Sequence, residues 1–183
     1  EKCYDLHDNG HMQGIRKINN LSMEIDKMIT TSTHFLKNEI QPNGKFIYGY
    51  FPHFDRQINH YNILRHSSST YALTEGLMYL EENITIIQKP LDYIIENYYF
   101  EKNNIAYIFD DTGSINEIKL GQNASFIFAI CEYLKGNPND NYYLRFAQKV
   151  AEGILTMINH NTMKTTHVLN YPDLSIKEEY RVI

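Results

Sequence analysis

Two stretches of the chain, Arg65 to Asn83 and Lys119 to Asn137, repeat one unit at a spacing of 54 residues. In this register Leu73 matches Ile127, Tyr79-Leu80 matches Tyr133-Leu134, and Asn83 matches Asn137. Each copy follows strand-like residues and sets a basic residue ahead of a mostly apolar helix. A third lead-in of the same kind, Glu178-Glu179-Tyr180-Arg181-Val182-Ile183, closes the sequence. A unit that recurs at such a period buries its apolar face against its neighbour, which predicts a stacked array of helical hairpins.

The length of 183 residues suits one core, so a single domain over 1–183 is expected. A net charge of −5 and the lack of any Lys/Arg cluster exclude a nucleic-acid surface. No apolar run approaches the ~18 residues that span a bilayer. The first twenty residues are polar and unlike a secretory leader, so a cytoplasmic location is expected. Residues 1–17, with Gly10 and Gly14, read as a loose entry segment. His7 and His11 lie four apart there, yet Gly10 separates them and no third ligand is near, so no metal is expected. No cofactor is expected either. Cys3 and Cys131 show no disulfide or metal spacing, and Cys131, inside an apolar helix, reads as a small buried hydrophobe.

Leu21, Ile25, Met28, Ile29, Phe35 and Leu36 mark one face of a helix, with Ser32 the small polar residue on that stripe. After the turn Pro42-Asn43-Gly44, alternation in Lys45–Phe51 puts Phe46, Tyr48 and Tyr50 on one face of a strand. The first repeat helix is expected from Ser67 to Glu82, capped by Ser67, Ser68 or Ser69. In the next helix Pro90 predicts either a kink or a late start. Ile105–Phe109 and Ser114–Ile118 flank Asp110-Asp111-Thr112-Gly113 like the arms of a hairpin. The second repeat helix, Asn123 to Lys135, is apolar nearly all round and must be covered on several sides. Tyr143, Phe146, Val150, Ile154 and Ile158 form a one-sided stripe, and Thr165 to Ile183 reads as strand, turn, strand. Amphipathic helices thus alternate with enclosed ones, the order from which a ring of helix pairs is built. The expected fold class is all-α: helical-hairpin repeats forming a partial (α/α) toroid, with small β-hairpin inserts. An incomplete ring leaves an apolar flank bare, so either self-association or a further C-terminal half is expected to cover it.

Lys119-Leu120-Gly121-Gln122-Asn123-Ala124-Ser125 and Tyr61-Asn62-Ile63-Leu64-Arg65-His66, with Tyr71-Ala72-Leu73 following, lead into apolar helices. These segments resemble those of (α/α)-toroid carbohydrate-active proteins, among them the helical domains of glucuronyl C5-epimerases and N-acylglucosamine 2-epimerases. The resemblance runs over about Leu21 to Ile183 and implies an N-terminal portion of such a protein. It implies that inserts at one end of the ring, Tyr48–His66, Ile105–Lys119 and His167–Arg181, rim a sugar site. Lanthionine cyclases share the toroid, but their Cys/Cys/His zinc set is lacking here. The acidic motif of terpene cyclases is not evident, and Asp110-Asp111 suits a turn.

Arg65, Lys119 and Arg181 each precede an observed or expected inner helix, where cations sharpen the anion preference of a helix N-terminus. A uronate carboxylate or a phosphate fits such a rim, with Asn123 beside it. The plainer use of each cation is to pair with its neighbouring Glu117 or Glu178-Glu179. His66 is the candidate for proton transfer, near Asp55 and Tyr61 in sequence, and a neighbouring cation favours its neutral form. The plainer use of His66 is to fix the loop to the helix. Tyr48, Tyr50 or Tyr61 then serves as opposing acid or stacks on the sugar; the fifteen tyrosines against no tryptophan suit such a groove, although AT-rich coding explains them more simply. Hydrolysis needs two carboxylates, and Asp55, Glu75, Asp111, Glu178 and Glu179 include no pair singled out by spacing. Two functions follow: epimerase- or lyase-like action on an acidic polysaccharide or its precursor, or a non-catalytic helical-repeat module that binds a protein or glycan.

Overall fold

The structure, a computed structural model, describes residues 18–111 and 115–179. Asn20 accepts from the backbone N–H of Met23 and opens helix α1 (Leu21–Asn38). A short hairpin follows, β1 (Tyr50–Phe51) with β2 (Arg56–Gln57), turning through Asp55 in the left-handed region. Helix α2 (Ile63–Tyr79) starts under the cap of Asn62, whose side chain accepts from Arg65 N–H. It therefore begins four residues ahead of Ser67, which is buried inside the helix. A 3-10 turn over Thr85–Ile87 leads into α3 (Gln88–Tyr98), so Pro90 sits in the first turn where its missing N–H costs nothing.

Strands β3 (Tyr99–Lys102) and β4 (Ile105–Ile108) form a hairpin around Asn103-Asn104, both with positive φ. Two successive left-handed residues match the strand twist, and Asn tolerates that conformation. The hairpin expected around Asp110–Gly113 is instead a single bridge between Asp110 and Glu117; Thr112 and Gly113 lie outside the described residues. Strand β5 (Glu117–Lys119) runs into α4 (Leu120–Gly136), which a four-residue turn joins to α5 (Asn141–Thr156), capped by Asp140. Then come β6 (Ile158–Asn159) with β7 (Lys164–Thr165), and β8 (Val168–Asn170) with β9 (Ile176–Glu178). The last pair is the expected strand, turn, strand.

Helices α2 and α4 match in length at a spacing of 57 residues, not at the 54 read from the sequence. They have 17 residues each, begin at 63 and 120 and end at 79 and 136, and pack on one another extensively. Ile63, Leu73, Leu77, Phe126, Ala129 and Ile130 share the main core with Ile87, Leu91 and Ile94 of the α3 segment and Val150 of α5. Gly153 brings α5 against β4: a Cβ there would lie 2.1 Å from the Ala106 carbonyl oxygen, backbone that cannot rotate away. Gly153→Ala is expected to force the two apart and lower stability by about 1–2 kcal/mol in urea unfolding.

The all-α expectation is overturned. The described residues are 53% helical and 18% strand in four small sheets, so the fold is mixed. Strand β5 pairs antiparallel with β8, Lys119 opposite Val168, and β8 pairs with β9 in a three-stranded sheet. Two inserts fuse there over a second core of Tyr107, Phe109, Ile118, Met157 and Leu169. The helices also cover less than expected. Phe128 and Cys131 of α4 are exposed, so Cys131 is not the buried hydrophobe that its neighbours suggested. On α1, Leu21, Ile25, Met28 and Phe35 face outward, while Thr33 seats against Gly76 of α2. None of the described helices is long and apolar enough to cross a membrane.

Candidate functional site

Aromatic rings connect the three inserts. Tyr48 meets Tyr61 at 6.2 Å between centroids, Tyr61 meets Tyr93, and Tyr93 meets Tyr98. Tyr98 meets Phe109, which stacks on Tyr171 at 4.0 Å and 3°. Tyr48, Phe109 and Tyr171 belong to the first, second and third insert, so the three inserts contribute to one aromatic row.

The row begins at a cleft of about 490 Å3 lined by Lys45, Phe46, Tyr48, His60 and Tyr61 with the amides Gln41, Gln57 and Asn59. Each of its two tyrosines carries a cation. The Lys45 ammonium lies 4.4 Å from the Tyr61 ring centroid, and the Arg65 guanidinium 5.3 Å from that of Tyr48. Arg65 also donates from Nη1 to the Tyr48 hydroxyl at 2.7 Å. His60, exposed, meets Tyr48 edge-on at 5.0 Å. Rings, amides and the Lys45 ammonium in one cleft, with Arg65 bonded to Tyr48 but outside the lining, make a site for a polar ligand with flat apolar faces.

Beneath the cleft, His66 is only 2% exposed. Its Nε2 lies 2.8 Å from the Pro90 carbonyl oxygen, which can only accept, so Nε2 carries the proton. Nδ1 then accepts from the Tyr61 hydroxyl at 2.5 Å, and that oxygen in turn accepts from Phe46 N–H at 3.0 Å. The rings of Tyr93 and Phe46 close over the imidazole. Burial holds the His66 pKa down at about 4 and pushes the Tyr61 phenol upward. With both ring nitrogens bonded, His66 ties the start of α2 to the start of α3 and holds Tyr61 in place.

Asn123 does the same at the matching position of α4. Counted from the helix starts at 63 and 120, it stands where His66 stands. Its Oδ1 accepts from Ile108 N–H at 2.7 Å, and its Nδ2 donates to the Ile108 and Lys119 carbonyls at 3.0 and 2.8 Å. The side chain thus serves the edge of β4 as another strand would, and it is fully buried.

The remaining candidates disperse. Asp55, exposed at the hairpin tip, accepts from the Tyr50 hydroxyl, which raises the Tyr50 pKa. Lys119 pairs with Glu117 at 2.9 Å, and Lys177 pairs with the same carboxylate, holding it below its ordinary range. Arg181 lies outside the described residues, as do His7, His11 and Cys3. Lys45, Gln41, Gln57, Asn59 and His60 were not singled out by sequence. Their one signal is position: Gln41 and Lys45 precede the β1–β2 hairpin, Gln57 ends it, and Asn59 and His60 follow it. Among the described residues no cluster of His, Cys, Asp or Glu could hold a metal ion.

No protein-family model and no curated protein matches the chain. Among solved structures, a sugar epimerase from a ruminal bacterium is similar, with a TM-score of 0.62 and 14% identity over 80% of this chain. The match spans 40% of that epimerase's chain, and at this identity it is a likeness of fold.

Proposed function

We propose that the protein binds an acidic carbohydrate in the cleft of Lys45, Tyr48, His60 and Tyr61, with Arg65 acting from its place on Tyr48. The observation that carries this reading is the pairing of each cleft tyrosine with a cation. A sugar presents C–H groups to a ring and hydroxyls to amides, while its carboxylate meets the ammonium or guanidinium. The epimerase-like fold supports a carbohydrate over other polar ligands. Within this reading the preferred chemistry is proton transfer at the carbon bearing the carboxylate. His60 accepts the proton, since it reaches the cleft, whereas His66 and Tyr61 hold the floor. Lys45 and Arg65 offset the charge that develops on the carboxylate. The Tyr48 hydroxyl, already accepting from Arg65, keeps its own proton for return.

Calorimetric titration with a hexuronate and its neutral hexose counterpart tests the binding. The acid is expected to bind about tenfold tighter, and Lys45→Ala or Arg65→Ala to cost about tenfold each, as loss of a charge-assisted contact does. Equal affinity for both sugars removes the acidic reading. Incubation in heavy water tests the reaction, with deuterium entering beside the carboxylate in wild type and not in His60→Ala. Binding without exchange assigns the cleft to a non-catalytic module. The buried, doubly bonded state of His66 favours that second reading.

A further inference from the structure

We propose that the tip of the β1–β2 hairpin is an outer subsite, so that the cleft holds one unit of an acidic polysaccharide and the tip holds another. This inference rests on the cleft reading above and narrows its ligand from an acidic sugar to a chain of them. Phe51 and Phe54 are 42% and 62% exposed and belong to neither of the two core clusters, so folding makes no use of their rings. The Arg56 guanidinium lies over both, 5.7 Å from the Phe51 centroid and 5.2 Å from that of Phe54. A ring with a cation over it is the arrangement that the cleft tyrosines show as well. The exposed ring surface receives the C–H groups of a sugar, and the guanidinium meets its carboxylate.

The strand register joins the two places. Phe51 stands opposite Arg56, so both project from one face of the hairpin. Ile58, two residues after Arg56, projects from the same face and lines the cleft. Its N–H donates to the Gly49 carbonyl, and its side chain lies over Gly49, where a Cβ would come within 2.8 Å of Ile58 Cδ1. One strip therefore leads from the cleft wall at Ile58 to Arg56 and Phe51 and on to Phe54. The acid of the tip, Asp55, accepts from the Tyr50 hydroxyl, and Tyr50 stands opposite Gln57 on the other face. Ile58 and Phe54 are separated by about 10 Å of strand and turn, so a ligand of about three linked sugar rings engages both places. Such a ligand gains affinity from the link without a stronger contact at either end.

Calorimetric titration with galacturonate and with its α-1,4-linked hexamer tests the assignment. A variant with Phe51→Ala and Phe54→Ala is expected to bind the hexamer about tenfold more weakly than wild type and galacturonate equally well. Arg56→Ala is expected to do the same, as loss of a charge-assisted contact does. Comparing variant with wild type cancels the gain that a hexamer draws from its overlapping registers in the cleft. All three positions are exposed, so helix content is expected to stay unchanged. Hexamer affinity unchanged in both variants overturns the outer subsite and leaves the cleft standing. Loss of galacturonate binding in the variants also overturns it, since the tip would then shape the cleft rather than extend it. Wild type that binds neither sugar removes the cleft reading and the subsite together. Co-sedimentation with phosphatidylglycerol vesicles covers the other use of exposed rings beside a cation. Vesicle binding that both variants lose, with hexamer affinity unchanged, assigns the tip to a membrane surface and overturns the glycan subsite.

Discussion

Asn123→Ala is expected to lower the unfolding free energy by about 4 kcal/mol, a large part of what a domain of this size possesses. The substitution removes three hydrogen bonds at once, leaving the Ile108 N–H and C=O without this partner at a buried site and the half-buried Lys119 carbonyl without it too. Each unsatisfied buried group costs about 1–3 kcal/mol, and the cavity left by the amide admits at most one water to relieve them. Asn123→Asp is expected to do no better, because a carboxylate cannot donate to two carbonyls. Urea unfolding at neutral pH measures both. A loss below about 1 kcal/mol for Asn123→Ala would mean that β4 is held by β3 and α5 without the amide.

Acid sensitivity well above the carboxylate range is the second large effect. His66 has a folded pKa of about 4 against an ordinary value of 6.5, because burial opposes its charged form. Between those values the unfolded chain binds the proton and the folded chain does not, so stability rises with pH across the window. It is complete above about pH 6.5 and is lost progressively as pH falls toward 4, by about 3 kcal/mol in total. Glu82, Glu101 and Glu117, held below their ordinary range by lysine partners, lose their contributions only under more acidic conditions. The interval from pH 5 to 6.5 therefore reports on His66. Urea midpoints in that interval are expected to climb with pH in wild type and to flatten in His66→Gln. An unchanged slope in the variant would assign the dependence to other histidines.

Local patterns were legible where one physical cause dominated. The one-sided stripe of α5 is a helix because Tyr143 and Val150 face the core, and Tyr171-Pro172-Asp173 joins β8 to β9 because no strand continues through it. Pro90 allowed two readings, and its tolerance in a first turn decided between them. Competition between equal signals hid the rest. Three serines looked like caps for α2, yet Asn62 closes the helix earlier. Asp110–Gly113 looked more turn-like than Asn103-Asn104, where the hairpin forms. Pairing of Lys119 with Val168 lies across 49 residues of sequence, beyond any local pattern, and it is what turns separate inserts into a sheet.

The candidate site divided in the same way. Tyr48, Tyr61 and Arg65 are near in sequence and meet in space through local folding. Lys45 and His60 lack a spacing signal of their own, because only the hairpin between them brings them to one cleft. His66 and Asn123 carry side chains suited to chemistry, but the polar atoms of each are taken up inside the fold, His66 by the Pro90 carbonyl and the Tyr61 hydroxyl and Asn123 by the backbone of Ile108 and Lys119. Sequence names the groups available for hydrogen bonding; only the fold shows which of them are already taken.

We propose that the inserts flanking α2 and α4 form one rim that begins at a sugar-binding cleft. Nuclear magnetic resonance titration of the labelled protein with an oligouronate tests this most directly. The predicted result is a contiguous set of shifted resonances at Lys45, Tyr48, His60, Tyr61 and Arg65, extending along the aromatic row toward Phe109 and Tyr171. Shifts confined to α1 or α5 with those residues silent, or a spectrum unchanged at saturating ligand, would contradict it.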